Sequence, residues 1–481
     1  MQETEGNLVD EVWGTARPPY PTEAAFTLNE TRYTGLTWCE KLAAVASKVR
    51  DSGATAHVVS ALDEVTWLLN VRAHDIEYLP VVRSYLILEL RPEPSVAWFV
   101  HPSKLTRELR DFLRHCAPHR VKIFEYEKFW AELRDLGTRT SSVLLPQAFS
   151  YNLGASHAIF SALPEEKVKF GPPPVAVMKN QKNPTEVQGM KNAHVRDAAA
   201  LIIFLAKLEA GIKAGDTWTE QRAADELART RSRQPLNRGL SFDTISASGS
   251  HSAMPHYAPT ADTDAPINNT AIYMLDSGGQ YLDGTTDVTR TLHFGTPTND
   301  QRATYTRLLA GCIRLVSAVF PAGTTLKELD ILVRGPLYVQ GRNFGHGTTH
   351  GIGHFLGVHE AYNSTLVENF FGSQEPGYYV AGQWGMRLEN IVTVVKAEFP
   401  ENHNENDEKF LKFEPVTLVP YEPNLIDVTL LSDKQVDWLN KYHARVRAEV
   451  RPLLESQCEY QAIAWLDART QAISWSKTAD I

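Results

Sequence analysis

Residues 274–295 read MLDSGGQYLDGTTDVTRTLHFG, and two aspartates in this stretch, Asp276 and Asp287, lie at the end and at the start of β-like runs. Asp283 and Gly284 between them form a typical hairpin-turn pair, so the runs are predicted to form antiparallel strands. Such strands can place both carboxylates on one face, where they repel each other unless a proton or a cation lies between them. The pair therefore predicts either a metal site or, as with many aspartates beside turns, a role in the turn alone.

Residues 345–360, GHGTTHGIGHFLGVHE, hold four of the sixteen histidines of the chain. His346 and His350 have the spacing of a helical zinc site, but the interleaved glycines argue against a helix and the HExxH motif is lacking. We instead predict an irregular loop, in which glycine permits a close approach of the backbone to a crowded site. His354, which precedes two apolar residues, fits a packed core histidine as well as it fits a ligand.

Two further segments carry glutamates: residues 375–379, EPGYY, and residues 385–394, GMRLENIVTV. A glutamate beside an apolar strand is usually a rim residue, and one that is buried needs a partner such as a metal ion. Together the segments supply four carboxylates and one imidazole as candidate metal ligands, namely Asp276, Asp287, His350, Glu375 and Glu389. Four carboxylates balance the charge of two divalent cations, and such a dinuclear site can activate water and polarise a carbonyl.

The whole chain has 481 residues, of which 43% are hydrophobic and 22% charged, the composition of a globular protein with several domains. The formal net charge of −9 argues against a nucleic-acid-binding protein. The acidic stretch 401–408 is expected to form a solvated loop. Four cysteines lie far apart without a CxxC pair, namely Cys39, Cys116, Cys312 and Cys458. We therefore expect neither a disulfide framework nor a zinc ribbon, and this use of cysteine suits a reducing compartment.

The sequence also bears on the location of the protein. The longest apolar run, residues 198–206, is about half of the ~20 residues that a transmembrane helix needs. The first residues, MQETE, are acidic and lack the basic and apolar regions of a signal peptide. We therefore expect a cytoplasmic protein that does not associate with membranes.

Three parts of the chain are expected to differ in architecture. Residues 1–36 contain prolines and little periodicity, which predicts an extended lead-in. Residues 37–175 alternate between helix-like and strand-like runs, which predicts an α/β domain. This domain ends at residues 171–174, GPPP, because three prolines cannot lie inside a helix or a central strand. Residues 176–481 combine a long helix, short strands and terminal helices, which predicts an α+β domain.

These motifs resemble those of the pita-bread metallopeptidases, a group that includes methionine aminopeptidase, prolidase and aminopeptidase P. The tracts DGTTDVTRT, HGTTHGIG, VHE, EPGYY and GMRLEN are most similar to the soluble eukaryotic type of aminopeptidase P. Residues 246–259, SASGSHSAMPHYAP, resemble the histidine-bearing strand and loop of that family, and the likeness covers nearly the whole chain from about Leu8. The resemblance implies a C-terminal pita-bread catalytic domain after a smaller, creatinase-like α/β domain.

The resemblance also implies a division of labour among the metal ligands. Asp287 and Glu389 bridge two divalent metal ions. Asp276 binds one of these ions, whereas His350 and Glu375 bind the other. The implied metal is manganese, which carboxylate-rich ligation suits.

The implied activity is that of a metalloaminopeptidase that removes the N-terminal residue from peptides with proline at the second position. A hydroxide that bridges the two metals attacks the carbonyl before proline, and Glu375 moves the proton. His256 and His359 are implied to stabilise the oxyanion or to hold the substrate. His346 is also implied to act on the substrate. Arg387 is expected to orient either a ligand carboxylate or a substrate carbonyl, and Tyr378 or Tyr379 is expected to form a wall of the proline pocket.

The sequence departs from the family pattern in two places. The family enzymes usually have three domains and the likeness begins where their first domain ends, so a two-domain protein and a longer one both remain open. The segment between Glu360 and Glu375 is shorter than usual, and residues 369–374, NFFGSQ, replace the strand that precedes EPGYY. We therefore expect a change in the metal site or in the wall of the substrate pocket.

Two alternatives to an Xaa-Pro aminopeptidase stay open. Prolidases and methionine aminopeptidases share the metal ligands, and a pseudo-peptidase keeps the fold as a binding module without catalysis. The expected partners are peptides with an Xaa-Pro N-terminus, with homodimerisation through the catalytic domain and without nucleic acid or membrane. We also expect the N-terminal domain to unfold independently of metal.

Overall fold

The computed structural model describes residues 6–90, 93–116, 120–148, 154–360, 365–399 and 409–474; the acidic stretch 401–408 lies outside them. The N-terminal part contains the helices α1 (Leu8–Trp13), α2 (Trp38–Asp51), α3 (Leu62–Leu68), α4 (Arg107–Phe112), α5 (Phe129–Arg139) and α6 (His157–Ser161). Its strands are β1 (Phe26–Thr27), β2 (Ala56–Val59), β3 (Val71–Arg72), β4 (Ser84–Glu89), β5 (Ser95–Val100), β6 (Arg120–Phe124), β7 (Val143–Pro146) and β8 (Val168–Gly171).

The N-terminal part is built on a six-stranded sheet in the order β6-β5-β4-β2-β7-β8. The pairs β2–β4 and β4–β5 are antiparallel, while the outer pairs are parallel. Side chains alternate along β4, so that Leu86 and Leu88 join one apolar core and Ile87 joins the core on the opposite face. Helices cover both faces, which confirms the α/β architecture predicted from the alternating pattern.

The first 36 residues differ from the extended lead-in that the sequence predicts. Leu8–Trp13 form a short helix capped by the side chain of Asn7, and Glu30–Thr34 form one wide helical turn. Phe26 and Thr27 pair with β3, which ties this segment to the N-terminal sheet region. The expectation is wrong here because scattered prolines, which break long helices, leave room for single turns and short pairings.

The cysteines also depart from the expectation of isolated thiols. Cys39 at the start of α2 and Cys116 after α4 are joined by a disulfide, with their Cα atoms 5.7 Å apart. Of the two remaining cysteines, Cys312 is buried and Cys458 is exposed. The sequence hides this pair because 77 positions separate its two members, and only the tertiary fold brings them together.

The C-terminal part contains the helices α7 (Pro174–Asn180), α8 (Pro184–Ala214), α9 (Glu220–Ser232), α10 (Asn299–Val316), α11 (Leu326–Tyr338), α12 (Asp433–Ser456) and α13 (Tyr460–Arg469). Its first strands are β9 (Trp218–Thr219), β10 (Asn237–Leu240), β11 (Ile245–Ser248), β12 (Pro266–Ile267), β13 (Ile272–Ser277), β14 (Gly279–Tyr281), β15 (Gly284–Thr285) and β16 (Val288–His293). The strands that follow are β17 (Val319–Pro321), β18 (Phe371–Gln374), β19 (Gly377–Val380), β20 (Trp384–Arg387), β21 (Asn390–Lys396) and β22 (Phe410–Pro415).

Two antiparallel sheets form the centre of this part, one in the order β11-β13-β16 and one in the order β17-β22-β21-β18. Side chains of α8, α10 and α12 pack with these strands in one continuous apolar core. The α+β prediction for the C-terminal part is confirmed. The sheets bring together the ends of β13 and β18 and the starts of β16 and β21, and the four candidate carboxylates lie at these positions.

In helix α8 the local sequence determines where the helix begins and ends. Asn183 accepts hydrogen bonds from the backbone N–H groups of Thr185 and Glu186, and the Glu186 side chain accepts the Asn183 N–H in return. The helix ends at Gly215, whose φ of 84° is the left-handed conformation that glycine adopts freely. Among the described residues, no helix combines the length and the apolarity needed to cross a bilayer.

The two parts of the chain share buried structure, which bears on the expectation that the N-terminal domain unfolds independently of metal. Leu356, from the histidine-rich loop, lies in the core formed by α2, α3 and β4. Arg72 of β3 is buried and donates hydrogen bonds to the carbonyl oxygens of His354 and Phe355. Because unfolding either part would expose these groups, the two parts should lose structure together.

A buried ion pair behind the β14–β15 hairpin gives a stability prediction. Asp197 of α8 accepts two hydrogen bonds from Arg231 of α9 and one from the hydroxyl of Tyr281 in β14. Asp197→Asn leaves the Arg231 charge buried without its counter-ion, so we expect a loss of about 3 kcal/mol in the free energy of unfolding. Urea denaturation measures this loss.

The matched control is Asp437→Asn, which breaks the exposed pair of Asp437 with Lys441. We expect this variant to change the free energy by less than about 0.5 kcal/mol. Equal losses in the two variants would contradict a special role for the buried pair.

Candidate active site

The first two carboxylates come from neighbouring strands. Asp276 lies in β13 opposite Thr289 of β16, and Asp287 directly precedes β16. The β14–β15 hairpin occupies the chain between them, so both carboxylates reach the same cavity of about 440 Å³. The sequence-based expectation that one face carries both aspartates agrees with this arrangement.

The two glutamates are brought together by a second strand pair. Gln374 of β18 is opposite Asn390 of β21, so Glu375, just after β18, and Glu389, just before β21, are neighbours at the same end. The unusual run NFFGSQ therefore does not displace Glu375, because its last four residues form β18. The backbone N–H of Glu375 also donates to the carbonyl oxygen of Thr348, 2.9 Å away.

His350 lies where β18 passes the histidine-rich loop. Its carbonyl oxygen accepts from the Ser373 N–H at 2.9 Å, and its own N–H donates to the Ser373 hydroxyl at 2.9 Å. Glycine at position 372 makes this approach possible, since a Cβ there would lie 2.7 Å from the His350 carbonyl oxygen. Residues 345–360, all of them described, form no helix, as their glycine content predicts.

Three carboxylates surround the imidazole of His350. Its Nε2 lies 3.4 Å from Asp287, 3.5 Å from Glu375 and 3.6 Å from Glu389. Asp276 pairs with Arg387 at 2.6 Å. All five side chains predicted as metal ligands line one cavity.

The five side chains predicted as metal ligands, here called the cage, contain buried oxygens that have no hydrogen-bond partner in the described part of the chain. Asp276 Oδ1, Asp287 Oδ1 and Glu389 Oε1 are inaccessible to solvent and have no hydrogen-bond partner there. A buried carboxylate oxygen without a donor is costly unless a cation binds it. Oxygen-rich donor sets with one imidazole suit hard divalent cations, so the residues present fit two such ions.

The charges in the cage shift the pKa values of its members. Burial and the charge of Glu389 raise the pKa of Asp287 well above its ordinary value. The same two causes raise the pKa of Glu375 to about 8. Burial alone would lower the pKa of His350, but the carboxylates of Asp287, Glu389 and Glu375 beside its ring raise this pKa well above its usual range. Without metal, the cage is therefore a group of proton-binding sites.

The predicted substrate residues divide into two groups. His256, His359 and Arg387 line the cavity together with the carboxylates. His346 lies outside the lining, where its Nε2 is 2.8 Å from the hydroxyl of Tyr379. That hydroxyl in turn accepts from Arg387 at 2.8 Å, so His346 connects to the cavity through two side chains.

The structure also places the tyrosines, the arginine and the remaining histidine that the sequence analysis considered. Neither Tyr378 nor Tyr379 is among the described residues that line the cavity. Arg387 pairs with the candidate ligand Asp276, which is one of the two roles expected for it. His354 is fully buried outside the cavity, and burial lowers its pKa well below the ordinary value, as in a packed histidine.

Several residues of the site were missed by the sequence reasoning. Thr289 donates from its hydroxyl to Glu389 at 2.8 Å, and its alternation with Asp287 in β16 was a usable signal. Glu220 carried no such signal. Its buried carboxylate accepts from the N–H groups of Ser248 and Ala265, which tie down both ends of the loop that carries His256.

Comparison with known proteins gives a consistent assignment. The model of metallopeptidase family M24 matches residues 188–396, flanked by matches to the creatinase/prolidase N-terminal domain over 16–186 and to the C-terminal region of peptidase M24 over 409–473. The probable Xaa-Pro aminopeptidase P of Laccaria bicolor is 40% identical over 475 residues, covering 96% of this chain and 71% of that protein. Human Xaa-Pro aminopeptidase 2 is 37% identical over 481 residues, covering 97% of this chain and 69% of that protein.

Solved structures agree with the sequence relatives. The X-prolyl aminopeptidase of Caenorhabditis elegans, described as a cytosolic enzyme with a di-nuclear active site, superposes with a TM-score of 0.91 at 35% identity. That match covers 97% of this chain and 76% of the other. The Xaa-Pro dipeptidase of Bacillus anthracis, at 21% identity and a TM-score of 0.59 over 80% of this chain and 99% of that one, shows the fold alone. The predicted pita-bread architecture is confirmed.

The raised pKa values predict that metal binding releases protons. Because ligands must be deprotonated, a divalent ion displaces the proton of Glu375, whose pKa is about 8, and the raised pKa values of Asp287 and His350 favour proton release in the same direction. We expect Mn²⁺ titrated into metal-free protein at pH 7 to release protons, with an apparent affinity that rises from pH 6 towards 8. Above the Glu375 pKa of about 8 this rise should flatten, since Glu375 is then already ionised.

Calorimetric titration in buffers of different ionisation enthalpy measures the released protons. The control is Glu375→Gln, which should release fewer protons and lose the flattening near pH 8. Binding that is independent of pH would contradict the assigned ligands.

Proposed function

The chain belongs to metallopeptidase family M24, where its relatives are Xaa-Pro aminopeptidases, and we propose that it removes the N-terminal residue from peptides with proline at the second position. One observation carries this proposal. Four carboxylates and one histidine meet at a single cavity, and three of their buried oxygens have no protein partner within the described residues. Retention of all five groups speaks against a pseudo-peptidase.

The positions of the ligands support a division of labour between two metal ions. Asp287 and Glu389, whose ligand atoms lie within 4.8 Å of each other and of a ligand atom of His350, would be shared by both ions. Asp276, which pairs with Arg387, would hold one ion. His350 and Glu375, 3.5 Å apart, belong to the other. We propose manganese as the metal, because carboxylates dominate the donor set.

Two divalent ions in this cage supply Lewis acidity, which activates water and polarises the scissile carbonyl. Glu375, whose carboxylate lies 3.5 Å from His350 at the cavity, is suited to accept a proton as general base and then to pass it to the departing amine as general acid. Arg387 holds Asp276 in place through its contact of 2.6 Å.

The histidines of the cavity supply hydrogen bonds to the substrate. His359 lies with its ring centre 4.4 Å from that of His350, and burial lowers the pKa of His359 to about 4. It is therefore neutral at physiological pH and can donate one N–H to the carbonyl oxygen as charge develops there. His256 lines the same cavity from the loop that Glu220 anchors, and we assign it the same type of role.

The biological setting is also a proposal. We place the protein in the cytoplasm, supported by the cytosolic description of the Caenorhabditis elegans enzyme. We further propose peptides as substrates and a homodimer formed through the catalytic domain. The chain's net charge of −9 does not favour nucleic acid as a partner.

The activity is tested with Mn²⁺-loaded protein on Xaa-Pro dipeptides, Xaa-Pro-Xaa tripeptides and matched Xaa-Ala-Xaa tripeptides. We expect cleavage of both proline series and none of the alanine series. Cleavage of dipeptides alone would show a prolidase. Absence of cleavage with two metals bound would overturn the proposal in favour of a pseudo-peptidase.

Variants separate metal ligands from substrate residues. Asp287→Ala should abolish both turnover and metal binding, because removal of a shared ligand opens a coordination position on each ion. His256→Ala and His359→Ala should keep two metals per chain but lower kcat by at least about 100-fold, the effect of losing one donor to a developing oxyanion. Metal analysis and kinetics on the same preparations test this, and loss of metal in a histidine variant would contradict the assigned role.

A further inference from the structure

Glu360, next to the substrate histidine His359, lies in a buried cluster of charges. Its carboxylate pairs with the ammonium of Lys179 in α7 at 2.7 Å and with that of Lys182, in the turn before α8. Lys179 also pairs with Asp63 of α3 at 2.8 Å. The side chains of Glu360, Lys179 and Lys182 are at most 2% exposed. The cluster thus connects the N-terminal part of the chain to the residue that follows His359.

The backbone transmits the position of Glu360 to the site. The N–H of Glu360 donates to the carbonyl oxygen of Gly351 at 2.8 Å, in an isolated antiparallel bridge between the two residues. Gly351 follows His350, and Glu360 follows His359, so this bridge sets the two histidine rings side by side. A shift of Glu360 would therefore move His359 relative to the metal ligand His350.

The loop between the two histidines needs external support. Phe355 has a φ of 47°, a left-handed conformation that non-glycine residues rarely adopt. Arg72 donates to its carbonyl oxygen at 2.6 Å and to that of His354 at 3.1 Å. Arg72 holds the middle of the loop, while the lysines hold its end.

We propose that Glu360 is a positioning residue, whose carboxylate, held by Lys179 and Lys182, keeps His359 in place for catalysis. Buried ion pairs contribute little net stability, because desolvation offsets their attraction, but they fix geometry. His359, Lys179 and Glu360 also line a second cavity of about 270 Å³ beside Asp63, so the cluster and the histidine form one wall. This inference rests on the proposed function.

The first test is Glu360→Gln, which keeps the shape of the side chain and removes its charge. We expect kcat on an Xaa-Pro-Xaa tripeptide to fall at least 10-fold while KM changes less than threefold and two metals remain bound. Lys191→Gln is the matched control, because it breaks the partly exposed pair with Glu414, neither residue of which lines the cavity, and should leave kcat unchanged. A loss of metal or an unchanged kcat would overturn the proposal.

A double-mutant cycle tests whether Glu360 acts through His359. In the His359→Ala background, Glu360→Gln should cost less than twofold, because the group that it positions is gone. A full, additive loss would show general damage and overturn the proposal. If Glu360→Gln does not fold, Lys182→Arg and Lys182→Met replace it, and only the methionine variant should lose kcat.

The outcome for the wild-type protein separates this inference from the proposed function. A metal-loaded wild type that cleaves none of the Xaa-Pro peptides contradicts the proposed function itself. An active wild type with an additive cycle contradicts only the role of Glu360.

Discussion

The structure depends on one electrostatic constraint, the convergence of four carboxylates and one imidazole in a single buried cavity. Such an arrangement repels itself unless positive charge enters it. Two features of the chain hold the carboxylates together in spite of this repulsion. Strand ends deliver the carboxylates with fixed spacing, and Arg387 and Thr289 orient two of them by hydrogen bonds. Asp276 lies in a strand and the other three carboxylates each lie directly beside the end of a strand, which suits a site that must hold its geometry after metal binds.

A second theme is the use of cationic side chains from outside the catalytic sheets. Three such side chains are buried and reach the histidine-rich loop, Arg72 from β3, Lys179 from α7 and Lys182 from the turn before α8. Through Arg72, and through the pair of Lys179 with Asp63, the N-terminal part of the chain contributes to the position of this loop. The loop itself has little regular structure, so its conformation is set by its neighbours.

Much of the fold and the ligand set could be predicted because the signals are local. Turn pairs, apolar runs and helix caps predict β13, β16 and α8. The five candidate metal ligands lie in short motifs with specific spacing. Three features could not be predicted. All three join residues that are distant in sequence: the disulfide between Cys39 and Cys116, the ion pairs of Glu360 with Lys179 and Lys182, and the hydrogen bonds from Glu220 to the loop that carries His256. The short helix at Leu8–Trp13 was missed because six residues carry too little periodicity.

Leu356 has a consequence for how the chain folds during synthesis. It belongs to the core of the N-terminal sheet, although it lies in the histidine-rich loop of the C-terminal part. Ribosomes release the N-terminal sheet first, long before residue 356 leaves the exit tunnel. The core of that sheet therefore stays open on one side until the loop is made and docks. The core of the N-terminal sheet is therefore completed only when the histidine-rich loop docks, late in synthesis. Until then, an incomplete chain exposes the apolar surface that Leu356 covers, and chaperones can recognise such a surface.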